Sequence, residues 1–318
     1  EKGRKYPIRV EGFQRGQRSE QQLVWSLPSA NGDDAVEAAK QADLVLFVGG
    51  LSARIEGEEM KVKADGFAGG DRTSLDLPAP QQKLLERVHA TGKPTVLVLM
   101  NGSALAVNWA DANVPAIVEA WYPGSEGGHA VARLLAGDFS PGGRLPVTFY
   151  KSADQLPPFS DYSMKNRTYR YFTGEPLYPF GHGLSYTRFA YAAPRLSSTS
   201  VTAKGKVTVS ANVTNDGAMD GDEVVQLYVA HPGAAQAPIR ALQGFQRVHL
   251  KKGETRRVEF TLDSRALSLV DDKGARRVTP GKVQLWIGGG QPVSRAGPAR
   301  PAGVATELQV TGSAVLPK

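Results

Sequence analysis

The chain has 318 residues, of which 41% are apolar and 22% are charged, and its formal net charge is +7. At roughly 150 residues per domain this length suffices for about two domains with their own cores, which argues against a fibrous or disordered chain. No stretch approaches the roughly 18 consecutive apolar residues of a membrane helix, and without cysteine there is no disulfide or thiol nucleophile. The excess Lys and Arg are scattered along strand patterns, which favours a solvated surface over nucleic-acid binding.

The first 27 residues contain two short alternating runs separated by a turn, at 6–11 and 22–25. This pattern predicts a hairpin, which we expect to be the end of a β-domain that begins outside the chain. The N-terminus has no apolar signal core, so we expect the sequence to start inside a longer gene product or after processing.

From about residue 34 to residue 150, apolar runs alternate with helical patterns. Strands are predicted at 44–48, 95–100 and 116–121, and helices at 34–42, 79–90 and 125–136. Alternation of this kind is typical of a parallel sheet covered on both faces. The predicted fold is therefore α/β, a three-layer sandwich with a mostly parallel sheet.

A Pro- and aromatic-rich region without a clear period follows at 150–187, and from about 195 the apolar period changes to two. Alternating strands separated by turn residues predict an all-β sandwich, and the lack of cysteine favours a fibronectin type III-like module over a disulfide-linked immunoglobulin domain. We divide the chain into three segments, at 1–27, 28–187 and 188–318.

Ligands of open α/β sheets bind beyond the carboxyl ends of the strands. The loop after the first predicted strand is the richest in charge, with six carboxylates at Glu56, Glu58, Glu59, Asp65, Asp71 and Asp76. Crowding of carboxylates can raise the pKa of one of them, as a general acid requires. The alternative is an ordinary solvated loop.

Other chemistries lack their sequence signals. Gly49 and Gly50 follow a strand, but neither a Gly-x-Gly-x-x-Gly fingerprint nor a phosphate loop is present. Ser125 lacks the Gly-x-Ser-x-Gly frame of a nucleophile elbow and is predicted to cap a helix. Because the five histidines are dispersed, we expect no metal site, and we expect no cofactor.

Six motifs follow one another in a fixed order: ADLVLFVGG at 42–50, GDR at 70–72 with LDLP at 75–78, VLMNG at 98–102, AWYPGSEGG at 120–128, GDFSPGGRLP at 137–146 and YPFGHGLSYT at 178–187. In order and spacing they resemble glycoside hydrolase family 3, the β-glucosidase and β-xylosidase family. The resemblance implies that 28–187 is an α/β sandwich domain, that 188–318 is a fibronectin-like domain, and that 1–27 is the tail of a PA14-like insert.

The resemblance also implies a retaining, exo-acting β-glycosidase, a β-glucosidase or β-xylosidase, that removes terminal non-reducing sugars by double displacement. The family's nucleophilic aspartate belongs to an N-terminal (β/α)₈ barrel, so the expected partners are that barrel and an oligo- or aryl-β-glycoside, with no nucleic acid and no membrane. Homo-oligomerisation stays open. A periplasmic or secreted location is expected, with the cytoplasm as the alternative. The alternative function is a non-catalytic carbohydrate-binding or scaffold module.

The resemblance implies that the Glu-rich loop supplies the general acid/base. Its Ile-Glu-Gly-Glu stretch at 55–58 resembles the Ile-Glu-Ala-Glu of xylosidase-like members, which favours Glu58, then Glu56, with Glu59 third. Asp71 and Arg72 are expected to anchor the loop through a salt bridge.

Three further residues are candidates for substrate contact. Trp121 and Tyr122 follow a strand and could stack on a sugar ring or fill the corner between sheet and helix. Arg167 lies in a segment that resembles xylosidase-like members, where it could face the active site or serve the fold. Residues 178–183 are expected to dock the two domains, with His182 as a buried hydrogen-bonding residue.

Overall fold

The computed structural model describes residues 32–192, 194–292 and 301–317. The hairpin predicted within residues 1–27, with its PA14-like assignment, lies outside the described residues. The α/β part contains, in chain order, α1 (Asp33–Gln41), β1 (Val45–Gly50), β2 (Phe67–Ala68), β3 (Asp71–Arg72), α2 (Ala79–His89), β4 (Thr95–Met100), α3 (Asn108–Asn113), β5 (Ala116–Glu119), α4 (Gly127–Leu135), a 3₁₀ turn (Ala153–Gln155) and α5 (Thr168–Tyr171).

The β-rich part follows directly along the chain. It contains β6 (Phe189–Tyr191), β7 (Arg195–Leu196), β8 (Ser200–Thr202), β9 (Val207–Asn215), β10 (Gly221–Ala230), β11 (Ala241–Leu250), β12 (Thr255–Leu262), β13 (Leu269–Val270), β14 (Arg276–Val278), β15 (Gly281–Gly288), β16 (Gly303–Thr311) and β17 (Ala314–Leu316).

The α/β part is built on a parallel sheet with the strand order β1-β4-β5 in the described residues. The registers Gly50 to Met100 and Leu99 to Glu119 bring the carboxyl ends of all three strands to one edge. One face of the sheet joins a buried core that includes Leu97 and Leu99. The predicted α/β fold with a parallel sheet is confirmed.

On the opposite face of this sheet, apolar side chains of β1 are open to solvent. Leu46 and Val48 are 50% and 60% exposed. Parallel sheets are normally covered on both faces, because their strands are apolar on both sides. The described residues therefore leave part of this face uncovered.

The predicted helix at 125–136 begins two residues later, at Gly127, with Glu126 as its N-cap. The amide of Gly127 donates to the carbonyl of Gly124 at 2.9 Å, so a tight turn leads into the helix. The prediction that Ser125 caps the helix is therefore wrong.

The β-rich part is a sandwich of two main sheets, with the orders β11-β10-β15-β16-β8 and β12-β9-β6, and β7 also pairs with β9. Val258, Phe260 and Leu262 on β12 are buried while the residues between them are exposed. This period of two lets each strand place one row of side chains in a shared apolar core. The predicted all-β sandwich is confirmed.

The segment 178–183 contacts both parts of the chain. The Gln291 side chain donates to the carbonyl of Phe180 at 2.7 Å, and the Phe180 ring stacks on Tyr169 with centroids 4.3 Å apart. His182 is half-buried and stacks on Tyr178 at 5.4 Å, so its predicted burial is only partial. The stacking holds this segment within the α/β part, and the hydrogen bond from Gln291 connects it to the sandwich.

A buried ion pair adds a second connection between the two parts. The Arg144 guanidinium donates to both oxygens of Glu223, at 3.2 and 3.3 Å, and the two side chains are only 7% and 4% exposed. Burial raises the pKa of Glu223, and the charge of Arg144 opposes that rise. Such a pair fixes the relative position of the two parts more than it adds to the free energy of unfolding. If one partner is removed, the other remains as a buried charge without a counter-charge.

We expect Glu223→Ala in the full-length protein to lower the free energy of unfolding by about 3–5 kcal/mol, because Arg144 would remain buried without its counter-charge. Urea unfolding monitored by fluorescence measures this loss. The matched control is Glu307→Ala, which removes an exposed pair with Lys282 at 3.4 Å and should cost at most about 1 kcal/mol. Equal losses in the two variants would contradict the role of the buried pair.

Candidate active site

The Glu56 loop, defined as residues 51–66, starts at the carboxyl edge of the parallel sheet. The side chain of Gln81 on α2 accepts from the amide of Gly50 at 2.7 Å and donates to its carbonyl at 2.8 Å. The amide of Leu51 donates to the carbonyl of Met100 at 2.7 Å, at the end of β4. The start of the loop is therefore fixed to the sheet and to α2.

The Glu56 loop then folds back on the β2–β3 hairpin. The amide of Met60 donates to the carbonyl of Gly69 at 2.8 Å. Gly70 is buried with φ +92°, and a Cβ there would lie 1.7 Å from the carbonyl oxygen of Gly57. Only glycine allows this close crossing. Glu58 and Glu59 lie between the crossing points with exposed side chains.

The carboxylate of Glu56 is bound by donors from two neighbouring loops. Its Oε2 accepts from the Tyr122 hydroxyl at 2.6 Å and from the Gly102 amide at 3.1 Å, while the Ser103 hydroxyl donates to Oε1. Arg72 Nη1 lies 3.9 Å from Oε1. Glu56, in the segment after β1, thus contacts strand β3 and the loops that follow β4 and β5.

These partners decide the charge state of Glu56. Burial by itself raises the pKa of the carboxyl, but the hydrogen bonds from Ser103, Tyr122 and Gly102 and the charge of Arg72 outweigh it and hold the pKa below the usual range. An ionised carboxylate can only accept hydrogen bonds. Glu56 is therefore not a carboxyl of this loop whose pKa is raised by crowding.

Arg72 braces the same site from the β2–β3 hairpin. Its Nε donates to the carbonyl of Ser74 at 2.8 Å, and its Nη1 donates to the Ser103 hydroxyl at 3.0 Å. The neighbouring Asp71 has an exposed side chain. The acidic partner that the structure gives to Arg72 at this site is Glu56.

The three residues considered for substrate contact lie in different surroundings. Trp121 is half-buried, and its ring meets Phe149 edge-on at 6.0 Å beside the α/β core. Tyr122 is exposed and places its hydroxyl on Glu56. Arg167 donates to the carbonyls of its own loop, at 3.2 Å to Pro158, 2.5 Å to Asp161 and 3.1 Å to Ser163. The structure thus brings Tyr122 alone of the three to Glu56.

Sequence reasoning missed a second carboxylate beneath the Glu56 loop. Glu119 ends β5, where its Oε1 accepts from the Trp121 amide at 3.0 Å and its Oε2 accepts from the Asn101 side chain at 3.2 Å. Burial raises the pKa of Glu119 to about 7, against these two hydrogen bonds. A carboxylate at the end of an otherwise apolar strand was the signal that could have identified it.

The described residues contain no group of three or more His, Asp or Glu side chains that could hold a metal ion. Within the same ranges, each helix is too short or too polar to cross a bilayer.

Family models match most of the chain. The model described as the glycosyl hydrolase family 3 C-terminal domain matches residues 9–186, and the fibronectin type III-like domain model matches residues 223–291.

Several curated relatives are similar over four fifths of this chain. A xylan 1,4-beta-xylosidase of Xylanibacter ruminicola is 42% identical over 256 residues, which cover 80% of this chain and 29% of the relative. A periplasmic beta-glucosidase of Salmonella typhimurium is 40% identical over 274 residues, which cover 82% of this chain and 34% of the relative. The chain spans about a third of the length of these relatives.

Solved structures of beta-glucosidases are also similar to this chain. A beta-glucosidase of Erythrobacter marinus is 36% identical with a TM-score of 0.74, covering 88% of this chain and 36% of its own. A beta-glucosidase of Kluyveromyces marxianus in complex with glucose is 28% identical with a TM-score of 0.76, covering 89% and 34%.

We expect Glu56→Ala to loosen the Glu56 loop, since it removes the acceptor for three donors. Hydrogen bonds to a charged group contribute about 1.5–3 kcal/mol, so exchange of the Gly102 and Met60 amides should quicken by about tenfold to a hundredfold. Hydrogen–deuterium exchange of the peptides that carry them measures this change. Glu59→Ala is the control, because its side chain is exposed. Similar exchange in both variants would contradict the role of Glu56.

The pKa of Glu56 also sets a pH dependence for the same measurement. Because the folded pKa lies below the usual value of 4.5, the carboxylate stabilises the loop above that value and this contribution is lost as pH falls through the folded pKa. Loop protection should therefore hold at neutral pH and decline in acid.

Proposed function

Because the chain belongs to glycosyl hydrolase family 3, as its C-terminal part, we propose that it supplies the general acid/base of a retaining, exo-acting β-glycosidase. The substrates would be terminal non-reducing β-linked glucose or xylose residues, since the relatives above are named beta-glucosidases and beta-xylosidases. The observation that carries the proposal is the arrangement of the Glu56 loop. Hydrogen bonds hold Glu56 near the start of the loop, and Glu58 is exposed at its tip.

Glu58 is the proposed proton donor. Glu56 is ionised and its oxygens are occupied by Tyr122, Gly102 and Ser103, so it has no proton to give and little freedom to move. Glu58 lies two residues further, open to whatever packs against this edge of the sheet. In this assignment Glu56 and Arg72 hold the loop and Glu58 performs the chemistry.

The nucleophile is proposed to come from a (β/α)₈ barrel in another part of the same protein. The relatives are about three times longer than this chain, which leaves room for such a domain. The exposed apolar side chains of Leu46 and Val48 favour a further segment packing against the α/β part. The proposed units of this chain are 28–187 and 188–318, with 1–27 as the end of a PA14-like insert.

The chemistry follows from the geometry of retaining glycosidases, in which two carboxyl groups stand about 5–5.5 Å apart. In this assignment the ionised aspartate is the nucleophile and Glu58 carries the proton that the leaving group needs. Protonated Glu58 gives its proton to the leaving-group oxygen while the aspartate attacks the anomeric carbon. Glu58 then takes a proton from the water that releases the sugar.

A periplasmic or secreted location is part of the proposal. It is supported by the similarity to a relative named a periplasmic beta-glucosidase. Absence of cysteine is compatible with this location.

We expect Glu58→Gln in the full-length enzyme to slow hydrolysis of substrates with poor leaving groups by about 10²–10⁴-fold, because the proton donor is lost. Aryl glycosides with good leaving groups should be affected less, since they depart without protonation. Added azide should restore turnover and give a glycosyl azide, because azide attacks without a general base. Steady-state rates over a series of aryl glycosides measure these effects.

Glu59→Gln is the matched control, as an adjacent exposed glutamate on the same loop. It should cause a small loss that is independent of the leaving group. Leaving-group dependence and azide rescue in Glu56→Gln or Glu59→Gln, but not in Glu58→Gln, would move the acid/base to that residue. Substrate binding without turnover by the unaltered full-length protein would favour a carbohydrate-binding module.

A further inference from the structure

The two loops that hold Glu56 are joined to each other below the site. The loop after β4 carries Gly102 and Ser103, and the loop after β5 carries Tyr122. Glu119 lies between them as the last residue of β5. One of its carboxylate oxygens accepts a hydrogen bond from the loop after β4, and the other accepts one from the loop after β5.

One oxygen of Glu119 supports a strained backbone. Trp121 has φ +55°, a left-handed conformation that is unusual and unfavourable for a bulky residue. Its amide donates to Glu119 Oε1 at 3.0 Å. The next residue is Tyr122, whose hydroxyl reaches Glu56. The position of this hydroxyl therefore depends on the conformation that Glu119 supports at Trp121.

The other oxygen of Glu119 binds a fully buried amide. Asn101 is 0% exposed, and its Nδ2 donates both to Glu119 Oε2 at 3.2 Å and to the carbonyl of Ser103 at 2.8 Å. These bonds shape the turn that presents the Gly102 amide and the Ser103 hydroxyl to Glu56. Because water does not reach the buried amide, a lost partner there is not replaced by solvent.

The turn leaves little space for another arrangement. A Cβ at Gly102 would lie 2.7 Å from the Tyr122 ring and 3.2 Å from Glu56 Oε2. The turn, the ring and the carboxylate are thus in direct contact. A shift of the loop after β4 would displace the Gly102 and Ser103 donors, and a shift of the loop after β5 would displace the Tyr122 donor.

We propose that Glu119 is a positioning residue, which through Asn101 and Trp121 holds the two loops in the arrangement that binds Glu56 and so sets the position of Glu58. The inference deepens the proposed function and rests on Glu58 being the acid/base. Glu119 itself lies under the site and acts through the loops above it. Its partly buried carboxylate forms part of the support for the Glu56 loop.

The test is a double-mutant cycle in the full-length enzyme. Glu119→Ala removes both acceptors, and we expect it to lower kcat on a substrate with a poor leaving group by about tenfold to a hundredfold, as misplacement of a catalytic group by about 1 Å does. KM should change little. In the Glu58→Gln background the same substitution should cause no further loss, because the group that it positions is already absent.

Glu119→Gln is a second variant of the same shape. Its amide offers one acceptor, so it can serve the Trp121 amide or the Asn101 side chain but not both, and its loss should be smaller than that of Glu119→Ala. This variant keeps the test valid if Glu119→Ala does not fold. Glu126→Ala is the matched control, as a carboxylate that is 82% exposed at the start of α4, and it should leave kcat unchanged.

The positioning role would be overturned if Glu119→Ala lowered kcat equally with Glu58 intact and in the Glu58→Gln background. An unchanged kcat in Glu119→Ala would also overturn it. Hydrogen exchange provides a readout that does not depend on which residue is the acid. The Gly102 and Met60 amides should exchange faster in Glu119→Ala, and unchanged exchange would overturn the inference. Absence of leaving-group dependence in Glu58→Gln, with faster exchange in Glu119→Ala, would contradict the proposed function and leave the positioning of the Glu56 loop supported.

Discussion

The site depends on the binding of one partly buried carboxylate, that of Glu56, by a hydroxyl, a backbone amide and a second hydroxyl from adjacent loops, with Arg72 close by. Burial of a charge is unfavourable unless the charge is paired and hydrogen-bonded, so this arrangement is stable only when all the loops are in place. The parallel registers of β1, β4 and β5 make that possible, because they bring three strand ends to one edge. The positions of the loops around Glu56 therefore depend on the register of the sheet.

In the proposed function, this arrangement divides the roles of two glutamates that are close in sequence. A residue that fixes a loop needs a low pKa and many donors, whereas a general acid needs a proton and access to substrate. Glu56 meets the first requirement and Glu58 can meet the second, because the crossing at Gly57 and Gly70 leaves the loop tip exposed. A loop that is fixed at its start and exposed at its tip suits a catalytic group that must meet a nucleophile on another domain. The Arg144–Glu223 pair and the hydrogen bond from the Gln291 side chain to the Phe180 carbonyl keep the β-sandwich attached beside it.

The local sequence pattern predicted the strands and helices of the α/β part well. The strand at 95–100 matches β4, and the helix at 79–90 matches α2 within one residue, because apolar period and glycine stops are written into short stretches of sequence. The Glu-rich loop was also identified from its place after the first strand. The contacts of Glu56 could not be predicted, since Ser103 and Tyr122 lie 47 and 66 residues away along the chain. The proposed positioning role of Glu119 could not be predicted for the same reason, because it depends on contact with Asn101 in the loop after a neighbouring strand.

The most direct test of the account is a crystal structure of the full-length enzyme with a trapped glycosyl-enzyme intermediate. The account predicts that the carboxyl group of Glu58 lies about 5–5.5 Å from the carboxylate that carries the sugar, the separation typical of retaining glycosidases. It also predicts that Glu56 keeps its hydrogen bonds to Tyr122 and Gly102, with Glu119 beneath them. A structure in which Glu56 leaves these partners and approaches the anomeric carbon, while Glu58 points to solvent, would contradict the account.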